Sequence, residues 1–409
     1  MRIHVTKSGE SLTELAKKHH VDVEDLIFYN PHILSVTSDK EGVEVNIPSP
    51  RIDIEAKDLP LCPYGEPEDP LDHWIPTTSL AKMAETEYDV LVVGSGAGGG
   101  AALWRLCENL LKSGKKIGLI EAGKLLLPTH AQNLVTVNEE RLARYLYNPK
   151  ISTLSSKYSY EYPGAIQVDA LGGNSLFWSA VTPRMDPSII ESWPLSLQEM
   201  NRYYDLAENV MNVTEQFTVG SLVTQFFLEQ LRANGYREAE PIPMAVDLQA
   251  TQFGRIQSSV YFSSIVLLGR ALNYGAFDLA INARTTNIFA ENGKVQGVRV
   301  MSEEKQVYDI KAKHVVISAG AFESPRLLLH SGLSGAVGHY LTNHSYIRAT
   351  TQADSKSFSD PLGTLGILLP QSEHRPYQIQ VHGPGSYFWY PSPYVTWKTR
   401  ASKYEFTVW

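Results

Sequence analysis

Apolar residues fall along this chain in two different rhythms, and each predicts a separate folded unit. Near the start, Ile3 to Thr6 read as a short strand, and the turn KSGE follows it. Leu12, Leu15 and Ala16 then recur at the spacing of one helix face. Ser11 stands three residues before Glu14, a capping-box spacing that satisfies two free N–H groups at a helix start. Asp22 can cap a second helix, in which Val23, Leu26 and Ile27 repeat the pattern. Val43 to Ile47 supply a closing strand, ended by Pro48 and Pro50. Residues 1–50 are therefore expected to form a βααβ unit. The rhythm then stops. Residues 51–86, with CPYGEPEDP at their centre, are rich in acidic residues and proline, the composition of an extended linker.

The second rhythm begins at Tyr88. Residues 88–93 (YDVLVV) suit a buried parallel strand. A helix follows with Ala102, Leu103, Leu106, Leu110 and Leu111 apolar, and Gly114 is placed to end it. Ile117 to Glu121 make the next strand. Between the first strand and the helix runs GSGAGGGA, in which Gly94, Gly96 and Gly99 satisfy GxGxxG and Ser95, Ala97 and Gly98 complete the loop. Gly94 permits the tight turn, Gly96 removes the Cβ that would block a pyrophosphate, and Gly99 lets helix and strand pack closely. The helix N-terminus then offers free N–H groups and a positive dipole end to phosphates. Glu121 lies 22 residues after Gly99, where a carboxylate can accept bonds from a ribose diol. The glycines alone would be weak evidence. With strand, helix, second strand and terminal acid they predict a dinucleotide-binding α/β domain from residue 87 onward.

Further along, HVVISAGAFESPRLLLHSG predicts another strand–turn–helix unit. Ala319 and Gly320 are small at the strand end, as close approach of a cofactor requires. Ser324 is expected as the helix N-cap, Pro325 as its first residue and Gly332 as the residue after it. Residues 252–300 contain two expected strands around the turn AENGKV. Two nucleotide-facing units separated by a long insertion favour a two-part FAD site over a nicotinamide site.

Composition narrows the classes. The 409 residues carry a formal net charge of -8, without the clustered Lys and Arg that a nucleic-acid backbone needs. The two cysteines, Cys62 and Cys107, exclude a disulfide framework and a CxxC pair, and Cys107 reads as a core residue of its helix. No apolar leader and no apolar run of about 18 residues occurs, so a cytoplasmic protein without a membrane span is expected.

Two resemblances add to this reading. HVTKSGESLTELAKKHHVDVEDLIFYNP followed by VEVNIP resembles a lysin-motif (LysM) module. That resemblance implies binding of N-acetylglucosamine-containing glycan between the loops Ser8–Leu12 and Asn30–Ile33; the alternative is that the module only anchors or assembles. From Tyr88 to about Arg348, the series VLVVGSGAGGGAA, GLIEAG, ALGGNSLFWSAVTPRM, KVQGVRV, VVISAGAFESPRLLLHSGL and VGHYLTNH resembles the glucose–methanol–choline (GMC) oxidoreductases. The resemblance implies a Rossmann-type FAD domain with an antiparallel-sheet substrate domain, and hydride transfer from a sugar or alcohol CH–OH group to flavin N5.

LGGNSLFWSAVTPRM is similar to the flavin-facing loop of pyranose oxidases. By that likeness Gly172, Gly173, Asn174 and Ser175 lie along the flavin and its pyrophosphate, and Ser179 offers a hydroxyl to N5 or O4. Phe177 stands where some relatives carry a flavin-linking His, which implies non-covalent FAD. The other reading makes Phe177 and Trp178 core aromatics. Thr286 is the expected adenine contact. The family's base is a His paired with His or Asn in a C-terminal segment that this sequence does not show, so no catalytic residue is assigned. His344 and His382 are the candidates to replace it. On this reading the chain is an incomplete enzyme without turnover of its own; the alternative is a LysM-bearing binding protein with a degenerate oxidoreductase fold.

Overall fold

A computed structural model describes residues 2–28, 30, 33, 42–47, 75–134, 148, 151–154, 166–248, 260–342, 349–354, 365–372, 374–382 and 403–408. The chain divides into two units, Met1–Glu68 and Asp69–Trp409. In the first, strands β1 (Arg2–Val5) and β2 (Glu44–Ile47) pair antiparallel, with Arg2 opposite Ile47. Helices α1 (Leu12–His19) and α2 (Val23–Phe28) lie between them in the chain. The expected capping box is formed: Ser11 Oγ accepts from Glu14 N at 3.3 Å, and Glu14 Oε2 accepts from Ser11 N at 3.0 Å. Asp22 Oδ1 accepts from Glu24 N at 2.8 Å. Leu12, Leu15 and Leu26 bury their side chains with Val45 and Ile47. The βααβ order follows from these local rules.

The second unit begins earlier than its composition suggests. Ile75 is buried in the core, and Thr78 N donates to Leu279 O at 2.7 Å. Helix α3 (Leu80–Ala84), capped by Ser79 Oγ, buries Met83 completely. The expected linker over 51–86 is thus corrected at its C-terminal end: one amphipathic turn, LAKMA, outweighs the surrounding prolines. Residues 51–74 lie outside the described residues.

The main sheet has six strands. They are β3 (Glu87–Val93), β4 (Ile117–Ile120), β5 (Asp278–Ala280), β6 (Arg284–Glu291), β7 (Lys294–Met301) and β8 (Val307–Ile317). Their order is β5-β4-β3-β8-β7-β6; β5, β4, β3 and β8 run parallel, and β8, β7 and β6 form antiparallel pairs. The expected turn in AENGKV holds the β6–β7 hairpin, with Asn292 and Gly293 both at positive φ, as a two-residue turn requires. Both faces of β3 are covered, so it is apolar throughout. On one face Val92 packs with Leu103 and Cys107 of α4 (Ala97–Leu110) and Leu268 of α5 (Ile265–Leu272). On the other, Leu91 and Val93 pack with Met83 and with Leu327 of α6 (Gly320–His330). Burial pushes the Cys107 thiol up to about 12, which leaves it an inert core residue as expected. Gly114 ends the α4 segment in the left-handed conformation, also as expected.

The α6 start is a second correction. Ala319 is its N-cap and Pro325 lies inside the helix, while the Ser324 hydroxyl reaches back to accept from Ala319 N at 3.1 Å. Strand β8 therefore passes into the helix almost without a loop, about one turn earlier than the Ser-Pro signal implies. A separate antiparallel sheet contains five strands in the order Ala349–Asp354, Lys403–Val408, Ile379–His382, Gly366–Leu369 and Glu240–Pro241. Among the described residues no helix is long and apolar enough to cross a membrane.

Candidate nucleotide-binding site

The ends of β3, β4 and β8 open onto a cavity of about 620 Å³, inside the range of cofactor sites. Its lining includes Gly94, Ser95, Gly96, Ala97 and Gly98 of the glycine loop, Glu121, and Ser318 to Glu323 at the start of α6. Gly94 has φ +94°, and a Cβ there would lie 2.4 Å from Ser318 O. A Cβ on Gly99 would lie 1.8 Å from Gly94 O, so Gly99 permits the helix–strand contact and itself stays off the lining. A Cβ on Gly96 would meet nothing within 4 Å. That position leaves room for a ligand. Neither Gly96 nor Ala319 supplies a side-chain cap, so the first turns of α4 and α6 both present N–H groups toward one cavity. Two positive helix ends, the bare approach at Gly96 and a strand-end acid together fit a dinucleotide with a diphosphate.

Glu121 is 6% exposed. Its Oε2 accepts from Ser95 N at 2.9 Å and Ser95 Oγ at 2.6 Å, and its Oε1 accepts from Gly123 N at 2.9 Å. Burial raises its pKa, with the Asp169 charge acting in the same direction and the three donors opposing. A carboxylate has about four acceptor sites, so one remains for a ribose hydroxyl.

The GGNS segment serves mainly to fasten the loop. Ser95 Oγ, besides donating to Glu121, accepts from Gly172 N at 2.9 Å. Ser175 Oγ donates to Gly172 O at 2.6 Å and accepts from Ser264 N at 2.9 Å, while Ser264 Oγ lies 2.9 Å from Ser95 O. Asn174 spends its amide on the strand before it, donating to Ile166 O at 2.8 Å and accepting from Val168 N at 2.9 Å. Gly173, Asn174 and Ser175 line the cavity, whereas Gly172 is buried behind it at φ +95°.

Trp178 lines the cavity with Phe262, Met211 and Thr182, its Nε1 donating to Phe262 O at 2.8 Å. Phe177 and Ser179 are off the cavity lining. Phe177 packs into the core beside Leu127 and Ala131, and Ser179 is exposed away from the lining. Thr286 is also off it. A register shift between Thr285 and Asn287 makes Thr286 the extra residue of a bulge, and its hydroxyl donates to Arg299 O at 3.3 Å. Thr285 lines the cavity instead. Ala319 and Gly320 are on the lining.

Several lining residues have no local sequence signal. Arg284 donates from Nη2 to Asp169 at 2.8 Å and from Nη1 to Glu323 at 3.1 Å, and Arg326 Nη2 lies 2.6 Å from Glu323. Behind Trp178, fully buried His130 accepts from Gln132 N at Nδ1, so its Nε2 carries the proton and donates to Trp178 O at 2.9 Å. Burial lowers the His130 pKa to about 4, so the ring is neutral near pH 7.

No histidine is on the lining among the described residues. His382 is on the five-stranded sheet 3.1 Å from Gln380 Oε1, with burial lowering its pKa to about 4. It is not among the lining residues, and His344 lies outside the described residues.

This geometry agrees with what the chain resembles. Residues 164–346 match the model of the family described as GMC oxidoreductase. Within this similarity, 2-methyl-1,2-propanediol dehydrogenase of Mycolicibacterium austroafricanum is 24% identical over 63% of this chain and 55% of that protein. C-glycoside 3-oxidase of Microbacterium trichothecenolyticum is 24% identical over 65% of this chain and 58% of that protein. The chain therefore spans a little over half the length of these curated relatives. Among solved structures, a formate oxidase of Aspergillus oryzae RIB40 superposes with TM-score 0.52 at 14% identity, covering 79% of this chain and 72% of that one. A pyridoxine 4-oxidase from Mesorbium loti gives TM-score 0.50 at 14% identity, covering 79% and 71%. These structural likenesses are of fold alone.

Proposed function

We propose that the Asp69–Trp409 unit binds FAD non-covalently and serves the oxidation of a CH–OH group in an alcohol or sugar. The observation that carries this is the convergence of two uncapped helix starts, the open Cβ position at Gly96 and buried Glu121 on one cavity. The names of the dehydrogenase and the C-glycoside oxidase support the substrate class. Gly94 to Gly98 and the α6 start would hold the diphosphate, Glu121 the ribose, and Gly173, Trp178 and Phe262 the end where a flavin ring fits. When bound, the flavin would supply the hydride acceptor. The chain's own residues position it: Ser95 and Ser264 lock the glycine loop to the GGNS turn, and His130 fixes the Trp178 backbone. Trp178, Phe262 and Met211 make the wall that keeps water from this end.

Non-covalent attachment is supported by Phe177, which packs in the core where a linking histidine would be sought. Releasing bound nucleotide by acid precipitation and chromatography tests both points. Recovery of NAD in place of FAD, or flavin retained on the precipitated chain, would refute the reading. For Met1–Glu68, the βααβ order and the formed capping box support a LysM module that binds N-acetylglucosamine oligomers. Titrating that unit with chitin oligosaccharide and following amide shifts at Ser8–Leu12 and Asn30–Ile33 tests it, and no shift at saturating ligand argues for anchoring.

A further inference from the structure

We infer that Arg184 is a positioning residue: it clamps the helix Leu197–Met211 to the segment that follows Thr182, and so holds Met211 in the wall at the ring end of the cavity. The inference rests on the FAD reading above. Thr182 and Met211 both line the cavity, on two stretches of chain that Arg184 joins. Its Nε and Nη2 donate to the two carboxylate oxygens of Glu208, each at 2.6 Å, and Nη2 also donates to Asp205 Oδ1 at 2.6 Å. Nη1 lies 3.4 Å from Asn201 Oδ1. The guanidinium stands over the Tyr204 ring, 5.3 Å from its centre, and the Tyr204 hydroxyl accepts from Met185 N at 3.2 Å. Asn201, Asp205 and Glu208 follow one another at helical spacing, so one side chain runs along two turns of a single face.

The packing of this helix explains why a clamp is needed. Of its 15 residues only Val210 is buried, in the cluster that holds Met244 and Ala245. Two residues beyond Met211, Val213 pairs with Ala245. The helix is therefore fixed at its C-terminal end, and the rest of its roughly 22 Å extends from that pivot with little apolar burial. Hydrophobic contact does not set its angle. Partly exposed ion pairs are individually weak, but a forked arginine–carboxylate pair within a network is the exception. Thr182 is fixed independently of the helix: its N donates to Pro243 O at 3.0 Å, and Val181 pairs with Met244. Arg184, two residues on, thus ties a lever to a fixed frame. Tilting the lever turns the Met211 side chain relative to Trp178 and Phe262.

Arg184→Lys keeps the charge and loses the fork. In the full-length chain its FAD affinity should fall about threefold to fivefold, the scale of one networked surface ion pair, with ADP affinity unchanged. The visible absorption band of the bound flavin should shift toward that of free FAD as water reaches the ring. Met211→Ala should change FAD affinity and the band in the same directions. The double variant should bind FAD no more weakly than Met211→Ala alone, because both changes act through one side chain. Arg184→Ala should match or exceed the effect of Arg184→Lys. Wild-type FAD affinity in Arg184→Lys, an equal loss for ADP, or losses that add in the double variant would overturn the inference. A wild-type chain that binds no FAD sinks the FAD reading itself, and this inference with it.

Discussion

The two glycines on either side of Ala97–Gly98 separate binding from folding, and one methyl group at each position reads the difference. At Gly96 the backbone has φ −59°, which alanine tolerates, and the added Cβ meets no protein atom within 4 Å. Gly96→Ala should therefore cost only a few tenths of a kcal/mol, roughly the difference between glycine and alanine at an N-cap or less. The methyl group projects into the space where the diphosphate approaches the α4 start, so FAD affinity should drop by about tenfold or more, on the scale of 1.4 kcal/mol per decade. At Gly99 the same methyl would sit 1.8 Å from Gly94 O and 2.8 Å from Gly94 C, both backbone atoms. Restoring contact distance requires the helix to leave the strand by more than a tenth of its interaxial spacing. Overpacking of this kind costs about 3 kcal/mol or more, which for a unit of this size lowers the melting temperature by roughly 6–12 °C. Differential scanning fluorimetry of the apo proteins, paired with quenching of FAD fluorescence, measures both. A Gly96→Ala protein that binds FAD like the wild type would refute the placement of the diphosphate. A Gly99→Ala protein as stable as the wild type would refute the close packing.

Two further outcomes follow from the polar groups. Arg284→Ala leaves Asp169 and Glu323 without their shared cation beside buried Glu121, so the cavity becomes more negative; FAD should bind about tenfold more weakly at low salt, and the difference should shrink as salt rises. A salt-independent change would indicate lost packing instead. For His130 the folded pKa is about 4 against an ordinary value of 6.5, so the unfolded chain takes up the proton first as pH falls. Its contribution to stability is therefore complete above about pH 6.5 and is lost progressively toward pH 4, by up to about 3 kcal/mol. Imidazole resonances followed by NMR should show the ring neutral at pH 5.5, and a protonated ring there would contradict its burial.

How much of this was legible in the sequence depends on how far apart the interacting residues lie. The capping box of α1, the strand–glycine loop–helix order and the acid ending β4 are encoded within a few residues by hydrophobic period, cap spacing and the absence of Cβ atoms. Those parts were readable because the physics that selects them is local. Side-chain direction was not. Ser95, Asn174 and Ser175 are small and polar in a glycine-rich loop, which suits a ligand contact, yet Ser95 and Ser175 turn toward Glu121 and Ser264, while Asn174 binds Ile166 and Val168. Nothing near Ser175 announces that a serine 89 residues later will meet it. Thr285 lines the cavity and Thr286 does not, because a bulge in β6 exists only once β7 is paired with it. Arg284 finds Asp169 across 115 residues only when β6 and the strand Ile166–Val168 reach the same cavity edge. Local propensity thus determined which elements exist and where a diphosphate can approach. Strand register and long-range packing decided which side chains face the cavity and which hold the loop that lines it.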